Sequence, residues 1–151
     1  MEETGRLVVG VDGADPSLDA LRWTLAEAAL RGATVEAVRV WQYPPLTYLP
    51  GVTAPPAFAH DQLEAEARAL LGEAVDVVVA EDATRVPVEQ LLMEGGPVDA
   101  LLQRSRGADL LVVGHRGRGG FRELLLGSVA HQCSSHAACP VVIVRPRSPE
   151  N

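Results

Sequence analysis

The sequence contains no lysine, and all thirteen of its basic residues are arginines. This absence excludes sites that depend on a lysine, such as the P-loop, the protein-kinase site and Schiff-base catalysis. Arginine can still bind phosphate through paired hydrogen bonds. The absence of lysine therefore does not exclude one small anion held by a local patch of arginine.

Cysteine is also scarce, because only Cys133 and Cys139 are present, and two cysteines do not form a disulfide framework. The acidic start, MEETGRL, has no feature of a signal peptide. No apolar run approaches the ~20 residues of a membrane-spanning helix. We therefore expect a cytoplasmic protein with no membrane partner.

The net charge of −7 and the pI of about 5 argue against nucleic acid as the main partner, because a phosphate backbone requires a basic surface. Aromatic residues make up 4% of the 151 residues, whereas 47% are hydrophobic, so that Ala, Val and Leu must form the core. This length and composition are typical of a single α/β domain, which we place at 1–151.

Apolar runs and turn residues predict alternating strands and helices. The predicted strands are Arg6–Val11, Thr34–Trp41, Val86–Met93, Asp109–Gly114 and Pro140–Val144. The predicted helices are one capped by Asp15 with Pro16 as its first residue and ending at Gly32, then His60–Asp82, a short one from Pro97, and Phe121–Ala137. The stretch 75–80 (VDVVVA) also fits a strand. The fold class is α/β, a single doubly wound five-stranded parallel sheet with strand order 3-2-1-4-5 and helices on both faces.

Two loops stand out from this framework. The segment 44–56 holds five of the eleven prolines and must be an extended loop, either a plain connection or a partial lid. The loop after the fourth strand, Gly114–Gly120 (GHRGRGG), combines glycines with nearby arginines at 116, 118 and 122. Glycines let the backbone approach an anion, and the next helix adds its positive end, so this loop predicts phosphate binding. Gly127 and Ser128 would lie two turns inside that helix, where a glycine costs roughly 1 kcal/mol.

The spacing Gly114-x2-Gly117-x9-Gly127-Ser128 resembles the nucleotide-binding pattern of ATP-binding universal stress proteins. Three further blocks, Gly10–Gly13, Ala108–Gly114 and Cys139–Val144, resemble the same family in the same order. Ala14 departs from the family's usual small hydroxyl residue, and His115 falls where the family varies.

The resemblance implies a set of nucleotide-binding residues. Asp12 and its neighbours would meet the nucleoside, the backbone of Val40 would recognise adenine, and the glycine motif would line ribose and phosphates. The full predicted set is Val11, Asp12, Gly13, Val40, Val113, Gly114, Arg116, Gly117, Arg118, Gly119, Gly127, Ser128 and Val129. The implied ligand is ATP with Mg²⁺ or Mn²⁺, or cyclic AMP or AMP in the same pocket, and the implied partner is a second copy paired through Pro140–Val144.

Other functions compete with this hypothesis of a regulatory nucleotide-binding protein of the stress response. A slow ATPase or an adenylating enzyme would use the same fold, but the loop after strand one lacks the Ser-Gly-Gly-x-Asp-Ser pattern of adenylating enzymes. A ligand-free dimerisation module would not need the glycine motif. We predict no catalytic residue and no metal site of the protein's own, because His131, Cys133, His136 and Cys139 do not converge on a helix.

Overall fold

The computed structural model describes residues 3–43, 59–117 and 126–146. In this part of the chain, strands and helices alternate as predicted. The strands are β1 (Arg6–Gly10), β2 (Thr34–Trp41), β3 (Val88–Glu94), β4 (Leu110–Gly114) and β5 (Val141–Val144). The helices are α1 (Asp15–Arg31), α2 (Ala59–Glu81), α3 (Pro97–Ser105) and α4 (Ser128–His136).

The five strands form one parallel sheet in the order β3-β2-β1-β4-β5, which confirms the predicted order. β1 lies at the centre, with Leu7 opposite Val35 of β2 and Leu110 of β4. From β1 the chain adds β2 and β3 on one side, and it then adds β4 and β5 on the other side of β1, so the strand order reverses between the neighbours β1 and β4. In a sheet of this kind, that reversal opens a crevice at the carboxyl ends of the strands.

Helices cover both faces of the sheet. Because successive side chains of a strand point to opposite faces, each strand contributes to two separate cores. Leu7 and Val9 join one core with α1 and α2, whose buried members include Leu21, Leu25, Leu71 and Val78. Val8 joins the opposite core with residues of β2, β4, α3 and α4, namely Val38, Leu111, Leu101, Ala130 and Cys133. Cys133 is a core residue as predicted, and burial raises the pKa of its thiol to about 11.

The start of α1 differs from the prediction by one residue. The N-cap is Ala14 rather than Asp15, because the carbonyl oxygen of Ala14 accepts from the N–H groups of Ser17 and Leu18 at 3.0 and 3.1 Å. Pro16 is therefore the second helical residue, where its missing N–H is still harmless. The end of the helix is as predicted, with Gly32 in the left-handed region at φ 66°.

Helix α2 includes the stretch 75–80, so the alternative strand interpretation of that stretch is wrong. Its valines follow the helical period, since Val75 and Val78 are buried whereas Val77 and Val79 are 51% and 43% exposed. Strand β3 begins at Val88 rather than Val86, because Pro87 has no N–H and enters the ladder only through its carbonyl oxygen.

Four other strand bounds differ from the predictions by one residue: β1 ends at Gly10, β3 ends at Glu94, β4 begins at Leu110 and β5 begins at Val141. None of the helices in the described ranges is long and apolar enough to cross a bilayer. The predicted loop 44–56 lies outside the described residues, as do Arg118, Gly119, Gly120 and Arg122.

A buried ion pair fastens α3 to the sheet away from the crevice. Glu36 of β2 is only 3% exposed. Its carboxylate accepts two hydrogen bonds of 2.6 Å from the guanidinium group of Arg104, and Arg6 contacts it at 3.4 Å. Pairing with Glu36 also raises the pKa of Arg104. The two arginines compensate a charge that could not be buried alone.

Candidate functional site

A cavity of about 550 Å³ opens at the carboxyl ends of the central strands, which is a usual size for a small-molecule site. It lies where the order of the strands reverses, as expected for a doubly wound sheet. Its walls come from the ends of β1, β2 and β4, the loops that follow β1 and β4, and the first turns of α1, α3 and α4. The lining residues are Gly10, Val11, Asp12, Ser17, Val38, Arg39, Val40, Pro97, Leu101, Val113, Gly114, Arg116, Gly117, Gly127, Ser128, Val129 and Ala130.

The cavity brings together every predicted site residue of the described ranges except Gly13. Gly13 has φ 87° and lines a smaller cavity of about 190 Å³ beside α2. Arg39 lines both cavities. Arg118 and Gly119, which belong to the predicted set, lie outside the described residues.

Several lining residues were not predicted from the sequence. Val38 lies on the same face of β2 as Val40, and the two-residue period of a strand could have predicted it from Val40. Arg39 is a charged residue near the end of a mostly buried strand, which is a signal that could have been used. Pro97, Leu101 and Ser17 give no such signal, because only the packing of α3 and α1 brings them to the crevice.

The loop between β1 and α1 is held by several hydrogen bonds. The Oγ of Ser17 accepts from the N–H groups of Asp12 and Gly13, both at 3.2 Å, and donates to the carbonyl oxygen of Ala14 at 2.9 Å. The Oδ1 of Asp12 accepts from the N–H of Ala14 at 2.9 Å. From β2, the Nη1 of Arg39 donates to the carbonyl oxygen of Asp12 at 2.9 Å.

The glycines of the motif are required by close contacts between chain segments. A Cβ atom at Gly114 would lie 2.8 Å from the backbone carbon and oxygen of Pro16. At Gly127 it would lie 3.2 Å from the Cα of Arg116, and at Gly117 it would lie 3.1 Å from the Oδ2 of Asp12. Gly114 and Gly127 thus let the end of β4 with its loop, the start of α1 and the start of α4 meet around the cavity. Gly117 keeps the space beside Asp12 open.

The predicted position of Gly127 inside a helix is wrong. Residues 126 and 127 are not helical, and Gly127 is the N-cap of α4 with φ −66° and ψ 159°. The reason is a long-range hydrogen bond of 2.7 Å from the N–H of Gly127 to the carbonyl oxygen of His115. The glycine motif therefore joins two neighbouring turns, one after β4 and one before α4.

The start of α4 faces the cavity with backbone donors. The first bond within the helix is donated by the N–H of His131 to the carbonyl oxygen of Gly127 at 2.9 Å. The N–H groups of Ser128, Val129 and Ala130 precede that bond, and all three residues line the cavity. The positive end of the helix dipole points the same way, so this end of the cavity suits an anion.

Three charged side chains line the cavity. Arg116 lines it beside Gly117, and the Nε of Arg116 is buried without a hydrogen-bond partner among the described residues. On the β2 side, Arg39 also lines the cavity and carries a second positive charge. Among the described lining residues, Asp12 supplies the single carboxylate. The local balance is positive in a protein whose net charge is −7.

The opposite end of the cavity offers a backbone edge and apolar walls. The carbonyl oxygen of Val38 accepts from Val11 on the β1 side, whereas that of Trp41 accepts from Gly95 on the β3 side. Alternate residues of a strand present their N–H and C=O groups to opposite neighbours. Val40 has the parity of Val38, so both of its backbone groups point to the β1 side. The register between β1 and β2 ends at Gly10 and Val38, so these two groups border the crevice.

Among the described residues, the one cluster of three possible metal ligands lies outside the cavity, at the start of α2. His131, Cys133, His136 and Cys139 all lie in the described ranges, and no three of their ligand atoms lie within 4.8 Å of one another. His60 does meet carboxylates, because its Nε2 lies 2.9 Å from the Oε2 of Glu94, and Asp61 and Glu64 stand nearby at the exposed start of α2. The hydrogen bond to Glu94 raises the pKa of His60, and its ring contacts Trp41 at a centroid distance of 4.9 Å.

The sequence model of the universal stress protein family matches residues 3–145. The chain belongs to the universal stress protein family. The universal stress protein YxiE of Bacillus subtilis is 30% identical over 145 residues, which cover 93% of this chain and 98% of YxiE.

A universal stress protein of Mycolicibacterium smegmatis is 34% identical over 145 residues, which cover 93% of this chain but only 46% of that protein. The chain thus spans about half the length of the mycobacterial relatives that it matches. Among solved structures, a universal stress protein in complex with cAMP is 32% identical, with a TM-score of 0.67 and coverage of 95% of this chain and 98% of that one.

Proposed function

We propose that this protein binds an adenine nucleotide, with ATP as the expected ligand, and acts as a regulatory protein of the stress response. The observation that carries the proposal is the polarity of the cavity. One end presents backbone donors and arginine, and the other presents a backbone edge between apolar walls. A nucleotide has the same two poles, namely anionic phosphates and a flat base with donors and acceptors on its edge.

The phosphate end would consist of Gly117, Arg116 and the first N–H groups of α4. Backbone N–H groups at a helix start are suited to phosphate, and a guanidinium group adds paired hydrogen bonds. The carboxylate of Asp12 borders this end, because its Oδ2 would lie 3.1 Å from a Cβ atom added at Gly117. A carboxylate beside phosphates fits a divalent cation that enters with the nucleotide, which supports Mg²⁺ or Mn²⁺ as its companion.

The base end would be the edge of β2 at Val40. Its N–H would donate to N1 of adenine, and its carbonyl oxygen would accept from the exocyclic amine. Val38, Leu101 and Val113 supply apolar walls for the ring. The relative bound to cAMP carries the same base and is 32% identical, which supports adenine as the base recognised here.

Two further proposals follow from family membership and the fold. We propose a cytoplasmic homodimer in which the edge strand β5 pairs with its copy, because β5 is a short strand of four apolar residues whose ladder in the described part of the chain is with β4. Covering such an edge would remove a site of aggregation. We propose binding rather than catalysis as the activity.

Calorimetric titration of the purified protein with ATP, AMP, cyclic AMP and GTP tests the proposal. We expect binding of at least one of the three adenine nucleotides and at least tenfold weaker binding of GTP. The Gly117→Val variant should lose nucleotide binding, because its side chain would fill the space beside Asp12. Gly72→Val is the control, since a Cβ at Gly72 of α2 meets only a side-chain oxygen at 3.7 Å. Unchanged affinity in Gly117→Val would refute the assignment of the phosphate end.

A further inference from the structure

Ser17 is a buried polar residue whose hydroxyl group forms hydrogen bonds with the backbone of the loop of residues 12–14. It lies in the first turn of α1, is 4% exposed and borders the cavity. A serine hydroxyl offers one donor and two acceptor sites. All three are used, by the N–H groups of Asp12 and Gly13 and by the carbonyl oxygen of Ala14. The hydroxyl therefore has no capacity left for a ligand.

We propose that Ser17 is a positioning residue of this site, which holds the loop of residues 12–14 so that the carboxylate of Asp12 faces Gly117. The nucleotide part of this inference rests on the proposed function. The geometry supports it directly, because the two N–H groups bonded to Ser17 are turned toward α1. The contribution of Asp12 to the cavity is then its side chain, whose Oδ2 approaches Gly117.

The Ser17 hydroxyl is the side-chain acceptor that the structure shows for these two N–H groups. The helix N-cap, Ala14, has no polar side chain, and no side-chain cap bond is present at α1. Gly13 adopts φ 87°, which is the left-handed region and permits the sharp turn. If the hydroxyl were removed, the N–H groups of Asp12 and Gly13 would lose their acceptor, and the loop would have to move to satisfy them.

The experiment compares Ser17→Ala with Thr24→Val. Thr24 is a matched control because it is a fully buried hydroxyl residue of the same helix, and its Oγ1 donates to the carbonyl oxygen of Ala20 at 2.7 Å, within α1. Both variants remove a buried hydroxyl group. ATP titrations under conditions where both variants are fully folded should show about tenfold or greater loss of affinity in Ser17→Ala and less than twofold in Thr24→Val.

Amide hydrogen exchange of the ligand-free protein provides a second readout that does not depend on the nucleotide. The amides of Asp12 and Gly13 should exchange slowly in the native protein and in Thr24→Val, and at least tenfold faster in Ser17→Ala. Unchanged protection of these two amides in Ser17→Ala would overturn the proposal, as would an affinity loss no larger than that of Thr24→Val. A native protein that binds no adenine nucleotide refutes the proposed function, and the exchange rates then still decide whether Ser17 holds the loop.

Discussion

Gly114 is the glycine whose replacement should disturb both the fold and the site. An added Cβ would lie 2.8 Å from the backbone carbon and oxygen of Pro16, whereas ordinary contacts begin near 3.4 Å. The two backbone segments must therefore separate by roughly 0.6 Å, the difference between these distances. Overpacking of this kind costs about 1–3 kcal/mol of unfolding free energy. It would also move the start of α1 away from the phosphate loop.

Two further glycines calibrate this estimate. In Gly127→Ala the nearest backbone atoms would be at 3.2 and 3.3 Å, so a smaller shift suffices. In Gly32→Ala nothing lies within 4 Å, and the cost is the left-handed backbone alone, about 1–2 kcal/mol. Urea denaturation and ATP titration of the three variants separate the two effects. Gly114→Ala should lose stability and affinity together, and Gly32→Ala stability only. A Gly114→Ala variant with native stability and affinity would refute this reasoning.

Two other predictions concern charged groups. Replacing Arg104 with methionine leaves the buried carboxylate of Glu36 poorly compensated and should lower the unfolding free energy by about 3–5 kcal/mol in urea denaturation, whereas the double variant with Glu36→Leu should recover most of that loss. The pKa of His60 is raised mainly by its hydrogen bond to Glu94, so the stability contributed by this pair is present below the ordinary pKa of histidine and is lost as the pH rises through the raised value. A pH titration of Trp41 fluorescence should report this transition through the adjacent ring, and Glu94→Gln should move its midpoint downward; an unmoved midpoint would contradict the assignment.

Much of the fold follows from local sequence patterns. The bounds of β2 were predicted without error, because a β-branched run follows the helix-ending Gly32 and stops before a proline-rich segment. The strand order, predicted from the alternation of elements and right-handed crossovers, is also the observed one. These features depend on propensity, turn chemistry and the handedness of crossovers, which act over short stretches of chain.

The parts that were missed depend on contacts between distant segments. The apolar spacing before Gly127 continues a helical period, so nothing local shows that α4 begins only at Ser128. The hydrogen bond from the N–H of Gly127 to the carbonyl oxygen of His115 decides that start. It joins the two ends of the glycine motif, which are twelve residues apart in the sequence. Ser17 was missed for a different, local reason, because its hydroxyl accepts from N–H groups only four and five residues earlier, in the loop before its own helix.

The central claim is that an adenine nucleotide occupies the cavity with its base at β2 and its phosphates at α4. The most direct measurement is an amide NMR titration of the isotope-labelled protein with ATP. The account predicts the largest shift changes at Val40, Gly117, Ser128 and Val129, with little change at the opposite end of the sheet around Glu36 and Arg104. Absence of shift changes at millimolar ATP, or changes confined to residues outside the cavity, would contradict it.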